Sequence, residues 1–146
     1  MRLTRLRLGE LGVLLGVVGI VVALTLPWYE NAGGKLSAWA TFGFAVILLI
    51  LAALVGLVLV IATVTERSTA LPVAAAVWST LFGTLAVLAA IVRLLERPDH
   101  AFSLCAGAWV ALAGAVLIAV GSWQSIRDER TGLYPPAKPE PRVPPA

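Results

Sequence analysis

Asp99 and His100 stand side by side, and a carboxylate next to an imidazole is the pairing that general acid–base chemistry uses. Neither a nucleophile nor a second base accompanies them in the sequence. His100 is the one histidine and Cys105 the one cysteine of the chain, so neither a zinc or haem ligand set nor an internal disulfide can be assembled. Proton-coupled or ion-conducting membrane proteins keep an ionisable group inside the bundle, because its high cost is tolerated only for a use. In this chain the stretch between Glu10 and Glu30 carries none. The polar groups well inside the apolar stretches are the hydroxyls of Thr25, Thr41, Ser79, Thr80, Thr84 and Ser122. They are expected to bond their own helix backbone or to bond across helices, rather than to line a path. The reading is of a non-enzymatic protein with no catalytic, metal-binding or cofactor-binding residues.

The elements that would hold these residues are membrane spans. Hydrophobic residues make up 60% of the chain and charged ones 13%, where a soluble domain has about 45–50% and about 25%. No charged side chain lies between Glu10 and Glu30, Lys35 and Glu66, Arg67 and Arg93, or His100 and Arg127. Each gap has about the 20 residues that a hydrocarbon core requires. The fold class is therefore an all-α membrane protein, with four transmembrane helices in a bundle over residues 1–126 and a proline-rich cytoplasmic tail over 127–146. The helices are expected at roughly Gly9–Leu26, Ser37–Thr63, Pro72–Leu95 and Ser103–Ser125. Pro27 and Pro98 mark helix ends, and Pro72 suits a first turn. The first apolar run is long for a signal peptide and lacks a small-residue cleavage site, so a retained span is expected.

Basic residues set the orientation. With the N-terminus inside, Arg2, Arg5, Arg7, Arg67, Arg127, Arg130, Lys138 and Arg142 are cytoplasmic, and Lys35, Arg93 and Arg97 are outside. Eight against three predicts a multi-pass membrane protein with both termini cytoplasmic. The same residues flank spans, so they do not make a nucleic-acid surface. Trp28, Tyr29, Trp39, Trp109 and Trp123 fall near span ends and are expected as interface anchors, their rings at the headgroup level. Gly33 and Gly34 suit a tight return. "LSAWATFGFAVILLI" from Leu36 resembles "AGAWVALAGAVLIAV" from Ala106. A duplication of this kind would make the bundle two parallel helical hairpins.

Small residues recur at helical spacing: Gly12 and Gly16; Ala75, Ser79 and Gly83; Gly107, Ala111, Ala115 and Ala119. In lipid such stripes allow close backbone approach, a main source of helix association. They are expected to pack the bundle, with the last stripe meeting another protomer. The tail carries a P-x-x-P pattern of the kind that docks in aromatic grooves.

The order of the motifs resembles a group of small four-span membrane proteins from actinobacteria that carry no established activity. The residues concerned are a basic "MRLTRLRLGE" start, "LPWYE" closing the first helix and "LSAW" opening the second. "LPVAAAV" opens the third, "GAW" the fourth, and "RDER" precedes the tail. The resemblance covers nearly the whole chain. It implies a bacterial plasma membrane and a four-helix architecture, and it transfers no functional residue. Animal claudin-like tetraspans also place tryptophans in the first outer loop, but they add a cysteine pair that this chain lacks. The expected function is a structural or assembly role, self-associating or packing beside another membrane protein. The alternative is a binder or carrier of membrane lipid or another apolar molecule in a groove between helices.

The orientation has a direct test. In a Cys105→Ala background, a cysteine at position 35 should react with impermeant maleimide in intact cells and one at position 67 only after lysis. The reverse pattern would invert the topology.

Overall fold

The computed structural model describes residues 8–40, 43–65, 70–96 and 101–131. In chain order the elements are α1 (Leu8–Thr25), β1 (Pro27–Asn31), β2 (Gly34–Ser37), α2 (Phe44–Thr65), α3 (Ala70–Leu95), β3 (Ala101–Leu104) and α4 (Ala106–Thr131). All four helices are long and apolar enough to cross a membrane. Helices meet the demand of the bilayer because each satisfies its own backbone hydrogen bonds. Their outer surfaces are correspondingly apolar: Leu15, Val18, Leu54, Val58, Ile61, Leu88 and Val120 are all exposed.

α1 packs against α4 and α2, and α3 packs against α4 and α2. Consecutive helices run in opposite directions, so every one of these contacts is antiparallel. α1 and α3 end, and α2 and α4 begin, at the end of the bundle that carries the strands. This is called the sheet end below, and the opposite one the termini end.

The closest approach is between α1 and α4. A Cβ placed at Gly16 would lie 2.6 Å from the Gly114 carbonyl oxygen, and one at Gly121 would lie 2.6 Å from the Gly9 carbonyl oxygen. Gly9 and Gly16 are seven residues apart, as are Gly114 and Gly121. A seven-residue repeat keeps one seam facing its partner over successive turns. At each crossing the two backbones touch, a spacing that also favours Cα–H···O=C contacts. Gly12 faces the same helix more loosely, with Gly121 Cα 3.7 Å from where its Cβ would be.

The other small residues serve the same interior. Gly83 of α3 sits on the Ala119 backbone, and Gly56 of α2 receives the Val13 and Val17 side chains of α1. Ala111 and Ala115 are fully buried, and Ala75 is nearly so. Of the Gly107–Ala119 stripe expected to meet another protomer, Ala111 and Ala115 are buried within the chain, Gly107 lies beneath Trp28, and Ala119 is partly exposed.

A three-stranded antiparallel sheet, order β2-β1-β3, caps the bundle. It moves two expected boundaries. Ser37 ends a strand and α2 starts at Phe44, while Ser103 lies in β3 and α4 starts at Ala106. Consequently Trp39 stands in a turn and Trp109 in a helix, so the two resembling segments begin in different structures. α4 also runs on to Thr131, past the boundary expected at 126. The hairpin closes at Gly34, whose φ of 124° suits glycine, and the Asn31 side-chain oxygen accepts from the Gly33 N–H at 3.0 Å.

Substitution by alanine should separate the two kinds of glycine on α1 and α4. Gly16→Ala and Gly121→Ala, where the added methyl meets backbone, should each lower stability by about 1–3 kcal/mol. Gly12→Ala and Gly19→Ala meet only ordinary van der Waals distances and should be neutral, or stabilising by up to about 1 kcal/mol through helix propensity. Unfolding of the four purified variants in one detergent checks the contrast. Equal effects at all four positions would refute it.

Candidate functional site

At the C-terminus of an α-helix the last carbonyls have no intrahelical donor. In this chain α1 and α3 both end at the sheet end, and both are met by side chains of β1. The Trp28 indole Nε1–H donates to the Ala23 carbonyl at 2.8 Å. The Tyr29 hydroxyl donates to the Arg93 carbonyl at 2.7 Å. Neighbouring residues of a strand ordinarily face opposite sides. Here both are buried, 2% and 0% exposed. The pairing register explains this. Pro27 pairs with Ser37 and Tyr29 with Leu36, so Trp28 is the extra residue of a β-bulge, which re-aims its side chain.

Trp28 and Tyr29 are thus corrected from interface anchors to buried helix caps. An indole or a phenol can anchor at the headgroup level only if its ring reaches the lipid, and these do not. The strand is held from the other side as well, because the Cys105 N–H donates to the Trp28 carbonyl at 2.8 Å. Gly107 has to be glycine here, since a Cβ would lie 2.5 Å from the Trp28 ring. Trp39, Trp109 and Trp123, by contrast, are each more than half exposed.

Tyr29 lies outside the spans. Burial raises its pKa above the ordinary value of 10.0, and the positive charge of Arg93 opposes part of that rise.

Below this cap α2 and α3 leave a groove of about 490 Å³. Its walls are Phe44, Ala45 and Leu48 from the first turns of α2, and Leu85, Leu88, Ala89 and Val92 from the last turns of α3. Arg93 and Glu96 form its rim at the sheet end. The volume is within the range of small-molecule sites, about 300–1,000 Å³. The apolar walls match an apolar guest, and the two charges offer a polar group somewhere to end. Among the described residues, each helical glycine in contact with another helix meets α1 or α4, so no glycine draws α2 and α3 together at the groove.

A second polar feature runs from the termini end toward mid-depth. Ser125 donates to Glu10 Oε1 at 2.7 Å, and Ser122 donates to the Ser79 hydroxyl at 2.7 Å. All four side chains are buried, and Ser122 and Ser125 share one face of α4. These bonds tie α1, α4 and α3 together in the manner of polar residues between membrane helices. From the sequence, Glu10 reads as a flanking charge; its burial inside the α1–α4 contact is visible only in the fold. Thr80 and Thr84 bond the carbonyls four residues back, and Thr25 bonds Val22, as expected.

Asp99, His100, Arg97, Thr41 and the proline-rich segment from residue 132 lie outside the described residues. Among the described residues no three potential metal ligands come together. Comparison with protein-family models, with curated proteins and with solved structures finds no match.

The capping account predicts a pH effect. Because the folded-state pKa of Tyr29 is raised, its contribution to stability is complete below pH 10.0 and is lost as pH rises toward and through the folded value. Tyr29→Phe should cost about 0.5–1.5 kcal/mol at pH 8, the net worth of one hydrogen bond, here to a part-buried carbonyl. It should also remove that alkaline loss. Urea unfolding followed by tryptophan fluorescence between pH 8 and 11 measures both. A wild-type curve with the same alkaline slope as the variant would contradict it.

Proposed function

We propose that this four-span membrane protein is a non-enzymatic binder of lipid, holding an acyl chain in the groove between α2 and α3. The observation that carries the reading is the groove itself, an apolar trough on the flank of two spanning helices with a cation and an anion at its rim. Lipid tails surround the flanks of such helices, and a guest that enters sideways need not cross water.

The assembly reading has less support, because Gly107, Ala111 and Ala115 of the α4 stripe are buried within the chain. The basic-residue bias supports both termini being cytoplasmic, which puts the sheet and the groove mouth on the outer side, and the resemblance to actinobacterial four-span proteins supports a bacterial plasma membrane. The absence of a nucleophile–base arrangement in the sequence supports binding over catalysis.

Filling the groove tests the proposal. Native mass spectrometry of the mildly extracted wild type should find one phospholipid retained per chain. Ala89→Phe and Ala45→Phe, which fill the trough from opposite walls, should each lose most of it while keeping helical circular dichroism. Retention unchanged in both folded variants would overturn the reading.

A further inference from the structure

The rim charges carry more than depth. Arg93 and Glu96 are three residues apart at the end of α3, a spacing that puts two side chains on one helix face. Both line the same mouth, one positive and one negative. We infer that the groove selects a zwitterionic phospholipid with a phosphoethanolamine headgroup, its phosphate on the Arg93 guanidinium and its ammonium on the Glu96 carboxylate. The inference rests on the lipid reading above and adds the class of headgroup.

The chemistry favours this pairing in two ways. A guanidinium meets a phosphate with parallel N–H···O bonds, and a carboxylate accepts from an ammonium. At the membrane interface both contacts gain from a dielectric lower than that of bulk water. Discrimination comes from Glu96. A phosphoglycerol headgroup has a phosphate for Arg93 but no cation, so it leaves the Glu96 carboxylate at the same mouth without an ammonium. A charge that the wrong partner leaves unmatched is a common source of specificity. The position of Arg93 is set independently of the lipid, because its own carbonyl accepts from Tyr29. Replacing the Arg93 side chain leaves that bond in place.

Competition between two lipids with identical acyl chains tests it. Full-length protein is exchanged into mixed micelles holding equal phosphatidylethanolamine and phosphatidylglycerol, and retained lipid is read by native mass spectrometry. The wild type should prefer phosphatidylethanolamine about fivefold, the scale of one partly exposed ion pair. Glu96→Gln should erase or invert that preference while retaining lipid. Arg93→Gln should weaken retention of both lipids. Ala89→Phe, which fills the trough below the rim, separates the two levels of the argument. If it retains lipid like the wild type, the groove itself is not the site. If it loses lipid but the wild type shows no preference, or prefers phosphatidylglycerol, the headgroup assignment alone is overturned. A preference unchanged in Glu96→Gln overturns it too.

Discussion

Two backbones touching, at Gly9 with Gly121 and at Gly16 with Gly114, set the geometry of the molecule. Lipid gives helices little hydrophobic reason to associate, so the contact must come from surfaces that fit. Glycine supplies the closest fit because nothing projects from it. With α1 and α4 locked at two points, the start of α4 is brought under the end of α1. There Pro27 and Trp28 lie directly over Gly107. The place of the strand, and so of the cap it supplies to α1 and α3, depends on this crossing. The Ser125–Glu10 bond lies along the same seam, where the buried Glu10 side chain accepts from the Ser125 hydroxyl.

The groove is the complement of that arrangement. α2 and α3 sit on the far side of the bundle from the α1–α4 seam and meet each other through side chains. Where those side chains are small, as at Ala45 and Ala89, room remains. The glycine seam and the groove thus lie on different helix pairs of one bundle.

The helices were legible because charge spacing reports span length directly; the gaps between Glu10 and Arg127 place all four. Four things were not legible. The heptads Gly9/Gly16 and Gly114/Gly121 are one pairing, but a sequence shows each stripe alone and not its partner. Four-residue spacing drew attention instead to Ala111 and Ala115, which are buried but are not the crossing. The sheet was hidden because its strands are short and one of its pairings joins residues more than 70 apart. Trp28 and Tyr29 looked like interface anchors because an aromatic just past a span end usually is one. The bulge that turns Trp28 inward depends on register with β2, which no local pattern encodes. The groove had no local signature either, since it is defined by two walls distant in sequence.

The crossing and the sheet also have a consequence for synthesis. Synthesis runs from α1 toward α4, and β3 and α4 are the last of the described elements to be made. Until they emerge, Gly9 and Gly16 have no opposing backbone, one edge of β1 is unpaired, and the Trp28 carbonyl lacks the Cys105 donor. A single late segment of about 30 residues, 101–131, therefore completes contacts begun by α1 and β1. Three helices without the fourth would carry the groove walls but not the seam that fixes the rest. A ribosome that stalls before residue 101 leaves a membrane-inserted product with an open strand edge, which is the kind of surface that quality-control proteases can recognise.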